Sequence, residues 1–275
     1  MCLPRIEMCK TSRNLRTRVE RPTWPSDRLH SSPTDKILER LCRLPSFSGL
    51  AKKELEQIAE AAELIEIKRT EVVYASVDAA REVFIVLSGT IKQVGCGASP
   101  MLVGIAGAGQ IIGLQSLFES GAHRFTAIAL TSCKLARISA DRYIDIMFSN
   151  EVRHVRRNLS ITIQPWLQTV ERHPVLMAGS INERLRVAFM ELAKDFGTRD
   201  ERGVIINVPL THAMLADMIG AARQTVSRMV MDLQRNGILF RDRRRFTVII
   251  EALCQSGDED KTAQGITSLP ATALG

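Results

Sequence analysis

Residues 209–230 read Pro209-Leu-Thr-His-Ala-Met-Leu-Ala-Asp-Met-Ile-Gly220-Ala-Ala-Arg-Gln-Thr-Val-Ser-Arg-Met-Val230. Two apolar-periodic segments, Thr211 to Ile219 and Ala222 to Val230, flank Gly220-Ala221, and each is too short to hold a helix alone, so they must pack on one another. Ala216 is the small residue over which a second helix can cross. Gly220, four residues on, supplies the positive φ of a sharp turn. Leu215, Ile219, Val226 and Met229 then point inward, which is the pattern of a helix-turn-helix whose second helix presents its first residues to a major groove. Arg223, Gln224, Ser227 and Arg228 take the opposite side. Arginine pairs bidentately with guanine and glutamine with adenine, so this face carries the chemistry of base readout. The plainer alternative is a two-helix corner with a solvated basic face, which does not account for Ala216, Gly220 and Val226 together.

Met218 to Arg228, followed by Leu233 and Asn236-Gly-Ile-Leu239, resembles the recognition segment of the Crp/Fnr family of bacterial transcription regulators. The Crp branch has Arg-Glu-Thr-Val with a second Arg four residues after the Glu. Arg223 and Arg228 match it, and Gln224 replaces the acid; Thr225 joins the expected DNA-contacting residues. A Ser-Arg pair recurs in the Fnr branch, and Ser227-Arg228 matches that. The resemblance implies an α+β chain with an N-terminal antiparallel β-roll of the cyclic-nucleotide-binding kind, a long dimerisation helix and a C-terminal winged helix-turn-helix. As partners it implies duplex DNA with a palindromic site, a second copy of the chain and RNA polymerase. Thr211, at the start of the first helix, joins the DNA-contacting set.

The remainder of the chain fits that division. Its 275 residues, 45% of them apolar, are enough for two domains with real cores, and the net charge of +7 suits a polyanionic partner. Six cysteines, at 2, 9, 42, 96, 133 and 254, show no C-x-x-C and no regular spacing, so neither a zinc site nor a disulfide framework is indicated. No stretch approaches the roughly 18 apolar residues of a membrane span, and the N-terminus lacks a signal-peptide core. A cytoplasmic, unexported protein without a named cofactor is expected. Residues 1–33, with Arg16, Arg18, Arg21, Pro22 and Pro25, show no periodicity and are expected to form a disordered basic tail.

From Thr34 the pattern turns helical, with Ile37, Leu38 and Leu41 on one face and Leu55, Ile58, Ala59 and Ala62 on another. Short strands follow at 64–67, 71–74, 83–87, 90–94, 101–103 and 127–130, the rhythm of a small barrel or roll. Val83-Phe-Ile-Val-Leu-Ser-Gly89 with Ile91-Lys92 resembles a hairpin of the family's roll, Gly89 at its turn. Gly104-Ile-Ala-Gly107-Ala-Gly109 lacks Rossmann spacing and reads as turns. Gly109 to Thr126 resembles the family's ligand cassette, in which a Glu after the second glycine holds the ribose and an Arg followed by Ser or Thr holds the cyclic phosphate. Here Gly113 precedes Leu114 and Arg124 precedes Phe125, so only Gly113 and Arg124 remain as ligand-site candidates. The lost contacts are worth roughly 1.5–3 kcal/mol each when charge-assisted, which argues against cyclic AMP binding of the usual kind. A salt-bridged structural arginine is an equal reading of Arg124.

Ser139 to Phe148 reads helical, and Val152, Val155, Leu159, Ile163, Trp166 and Val170 continue at spacings of three and four, as in a dimer seam over 141–173 that Pro165 must bend or break. The DNA-binding unit is expected over 174–251 and a disordered tail over 252–275. Ser180-Ile-Asn-Glu183 is a capping box opening a helix that Gly197 ends. Val204 to Val208 reads as a strand, and Ile238 to Ile250 as two more with Arg241, Arg243, Arg244 and Arg245 between them, a wing touching phosphates or simply a solvated basic turn. Two rivals remain. A cupin-like enzyme would need a His cluster in the roll, where only His123 lies; a regulator of the same fold could instead be ligand-independent, or thiol-redox-controlled through the scattered cysteines.

Overall fold

The computed structural model describes residues 32–95, 102–114, 121–148 and 179–255. The expected tails at 1–31 and 256–275, the apolar stripe from Val152 to Val170, Pro165 and the hinge at His173-Pro174 lie outside the described residues. Helix α1 (Pro33–Arg43) begins with a reciprocal cap: the Ser32 hydroxyl accepts from the Asp35 N–H, and the Asp35 carboxylate accepts from the Ser32 N–H. Ser32 and Pro33 thus belong to the fold and not to the basic tail. With α2 (Lys52–Ala61) and α3 (Ala140–Phe148), α1 covers the outer face of one sheet, burying Ile37, Leu41, Ile58, Tyr143 and Met147.

Among the described residues eight strands make the roll: β1 (Glu63–Ile67), β2 (Val72–Tyr74), β3 (Glu82–Ser88), β4 (Ile91–Gly95), β5 (Leu102–Ala106), β6 (Ile111–Ile112), β7 (Phe125–Ala129) and β8 (Cys133–Ser139). They form two antiparallel sheets, ordered β1-β8-β3-β6 and β2-β7-β4-β5. Strand β3 is apolar from Val83 to Leu87 because both its faces are covered there. Val83, Ile85 and Leu87 meet the helices, while Phe84 and Val86 enter the roll interior with Tyr74, Ile91, Ile112 and Leu135.

The expected β3–β4 hairpin is not one. The two strands lie in different sheets, and Gly89 carries the chain between them. Its φ is +91°, and a Cβ there would stand 2.6 Å from both the Ser132 carbonyl oxygen and Cys133 Sγ, so the crossing needs glycine. Thr90 then anchors the crossing, its N–H donating to Thr131 Oγ1 at 2.9 Å.

The C-terminal part comprises α4 (Ile181–Phe196), β9 (Gly197–Asp200), β10 (Gly203–Ile206), α5 (His212–Ile219), α6 (Arg223–Arg235), β11 (Leu239–Asp242), β12 (Arg245–Val248) and α7 (Ile250–Gln255). Its sheet runs β11-β12-β10-β9. The capping box at the head of α4 forms as the sequence predicts, and Leu185, Phe189 and Leu192 are its inner face. Gly197 ends α4 in extended backbone and leads straight into β9. Helix α7 carries the fold past residue 251: Leu253 is fully buried, and the buried Arg186 donates to its carbonyl.

Candidate nucleic-acid interface

Three devices hold the two short helices together. Thr211 caps α5 by accepting from the Met214 N–H at 3.1 Å. Gly220 closes α5 in the left-handed region (φ 62°, ψ 47°), its N–H returning to the Ala216 carbonyl. From α4, Arg184 Nη1 donates to the Ile219 carbonyl at 2.8 Å, meeting an acceptor the helix end leaves open. Ala216 is buried where the helices cross, and Val226, Val230 and Leu233 are the buried face of α6. Met229, expected inside, is only half-buried; Val230 and Leu233 continue the inner stripe.

On the outer side Arg223, Gln224 and Arg228 are exposed, and Thr225 and Ser227 are half-buried. The residue before α6 is Ala222, which has no side-chain oxygen to cap the helix, so its first amides point outward unclaimed by a side chain. The wing is tighter than the sequence implies. Asp242 pairs with Arg245, so only Arg243 and Arg244 form the turn, both exposed, while Arg241 and Arg245 sit in the strands.

Ser227 is engaged from below. Its Oγ lies 2.9 Å from His212 Nδ1, and His212 Nε2 is 3.3 Å from Arg241 Nη1. Arg241 also donates from Nε to the Arg243 carbonyl at 3.0 Å and stacks over the Phe246 ring at 5.4 Å. Burial and the guanidiniums of Arg241 and Arg223 hold the His212 imidazole below its ordinary range. Sequence reading found neither His212 nor Arg241 in these roles, nor Arg184, because each acts on a residue far away along the chain.

A model of the Crp-like helix-turn-helix domain matches residues 183–255, and one of the cyclic nucleotide-binding domain matches residues 64–150. The chain belongs to the Crp/Fnr family of transcription regulators. The CRP-like cAMP-activated global transcriptional regulator of Mycobacterium tuberculosis is 21% identical over 202 residues, 72% of this chain and 89% of the relative. Transcriptional regulator LdrP of Thermus thermophilus is 28% identical over 181 residues, 64% of this chain and 87% of the relative. In fold, the chain is similar to the c-di-GMP responsive global regulator CLP of Xanthomonas campestris, with a TM-score of 0.61, 19% identity, and coverage of 72% of this chain and 99% of that one.

The roll is the part that the cyclic nucleotide-binding domain model matches. Gly113 has φ +79°, and a Cβ there would lie 2.8 Å from the Glu82 carbonyl. Leu114 is buried, and Arg124 is exposed. Its neighbour His123 turns inward instead. That ring is 4% exposed, stacks on Tyr74 with centroids 3.8 Å apart, and leaves Nδ1 without a hydrogen-bond partner. Burial pushes the Cys42 and Cys133 thiols up, which disfavours the reactive thiolate at both. Among the described residues no group of three or more His, Cys, Asp or Glu could hold a metal, and no helix is long and apolar enough to cross a membrane.

Proposed function

We propose that this transcription regulator binds DNA sequence-specifically as a homodimer on a two-fold-symmetric site and responds to a signal in the roll other than conventionally bound cyclic AMP. The observation that carries the reading is the face of α6: Arg223, Gln224 and Arg228 stand exposed on a helix fixed by the Gly220 turn, beside a two-residue arginine wing. Arg228 and Arg223 suit guanine edges, and Gln224 can both donate to and accept from adenine. Thr225 lies on the same helix. Arg243, Arg244 and Thr211 suit phosphates, which position without specifying. A single recognition helix buries little surface, and two copies reading half-sites one helical turn apart supply what it lacks. The reading of the ligand site rests on Leu114 and Phe125, which offer a nucleotide neither the carboxylate nor the hydroxyl that the family's cassette provides.

The deciding experiment is selection of binding sites from random duplexes, paired with a salt titration. Arg228→Ala is expected to cost about 1–3 kcal/mol and to relax preference at one base pair of each half-site. Arg244→Ala is expected to weaken all sequences alike and lower the salt slope by about one unit. Uniform loss from Arg228→Ala, with base preference unchanged, would remove the main support for the assignment.

A further inference from the structure

The bonds around His212 have a direction. A guanidinium can only donate, so where Arg241 Nη1 faces His212 Nε2 at 3.3 Å, that nitrogen must be the acceptor. The proton of the neutral ring is then on Nδ1, which donates to Ser227 Oγ at 2.9 Å. A hydroxyl that accepts on one side keeps its own proton to give on another. Ser227 is half-buried on α6, the helix that exposes Arg223 and Arg228, so its hydroxyl is partly open to an acceptor at that face. Arg241 is itself pinned by the Arg243 carbonyl and the Phe246 ring, and the His212 ring stacks on Phe246 at 6.4 Å. The chain of bonds runs from the wing strand β11, through the first residue of α5, to the middle of α6.

We propose that His212 and Arg241 are positioning residues that fix Ser227 as a hydrogen-bond donor to an acceptor atom of the bound duplex, and so lock wing and recognition helix into one docking unit. The inference rests on the DNA-binding reading above. The acceptor is a phosphate oxygen or a base-edge N7 or carbonyl, all of which take a hydroxyl proton. Desolvation keeps the ring neutral near pH 7, the state in which one nitrogen accepts while the other donates.

The test uses the full chain in site selection and affinity measurements with Ser227→Ala, His212→Phe, His212→Gln and the double variant Ser227→Ala/His212→Phe. Ser227→Ala and His212→Phe are each expected to weaken binding about five- to tenfold, the loss of one hydrogen bond, and the double variant no further than Ser227→Ala alone. His212→Gln is expected to bind within about twofold of the wild type, since an amide can donate to Oγ while its oxygen accepts from Arg241. Lost preference at one base pair marks a base acceptor; uniform loss with a shallower salt slope marks a phosphate. Nitrogen-15 NMR of the histidines is expected to show the Nδ1–H tautomer at His212, and a mixture of tautomers in Arg241→Ala. Wild-type affinity in His212→Phe, additive losses in the double variant, or an Nε2–H tautomer overturns the proposal alone. A wild-type protein that enriches no site overturns the DNA-binding reading and this inference with it.

Discussion

Arg243 is one of two non-glycine residues with positive φ among those described, at 52°. It is the first of the two residues in the wing turn, a place where glycine or asparagine is usual, and L-residues there carry strain of about 1–2 kcal/mol. That strain sits at an exposed basic residue of the wing turn. Arg243→Asn is therefore expected to raise unfolding stability by about 0.5–1 kcal/mol while weakening DNA binding and lowering its salt slope. Urea unfolding and a salt titration measure the two halves; weaker binding without a stability gain would show that the turn is unstrained. His123 gives a second residue-scale expectation, this time in the roll. Burial holds its imidazole below the ordinary range, with Asp78 and Glu82 pulling the other way, so the folded ring is neutral. The unfolded chain takes up the proton below about pH 6.5, hence stability is full above that pH and falls as the pH drops toward the folded pKa. His123→Leu should flatten the fall in thermal midpoint between pH 7 and 5.5, leaving the share that His212, shifted the same way, contributes.

The Gly220 turn decides the helix pair. A Cβ at Gly220 would meet only Arg184 Nη1, at 3.7 Å, so space is not the constraint and the cost of Gly220→Ala is the left-handed backbone itself. A loss of about 1–2 kcal/mol in unfolding free energy is expected, with helix content retained; a neutral substitution would mean the turn can relax without glycine. This turn was legible because it combines a small residue, a glycine and an apolar stripe at fixed spacing. Strand β3 was legible for its continuous apolar run. Strand β9 was not, since Gly197-Thr-Arg-Asp200 is exposed at every position and its pairing with β10 leaves no period to read. Strand β8 was missed for another reason. Lys134 and Arg137 interrupt its apolar residues, and they do so because they pair with Glu66 and Glu63 on the neighbouring strand. The sheet assignment of β3 and β4 could not be read at all, because a glycine turn looks the same whether it closes a hairpin or crosses between sheets. The exposed face of α6 was visible residue by residue, whereas the bonds beneath it join positions 15 and 29 residues apart and have no local signature.

The two halves of the molecule share apolar contacts. Leu102, on the edge strand β5 of the roll, is buried in the same cluster as Leu215, Phe189 and Val226, with Ile105 and Leu130 packed against it. Phe196, the last residue of α4, sits so close to Gly107 that a Cβ there would come within 2.6 Å of its ring. An edge strand is a liability when open, and here β5 lies against α5, the first helix of the helix-turn-helix. Strand β5 of the roll thus rests directly on the first helix of the helix-turn-helix. Contacts of this kind also couple folding, because neither half can unfold without exposing part of the other's apolar surface. The whole chain is therefore expected to melt in one calorimetric transition. Leu102→Ser removes the central side chain of the contact from a site where truncating a buried leucine costs about 2–5 kcal/mol, and Phe196→Ala removes the ring that meets Gly107. Combined, they are expected to split the endotherm into two, the roll and the helix-turn-helix unit melting separately, while the two cores retain their own secondary structure by far-ultraviolet circular dichroism. Because the substituted residues are within one contact region, their effects should be non-additive. Two resolved transitions already present in the wild type would show that the contact is too weak to link the halves.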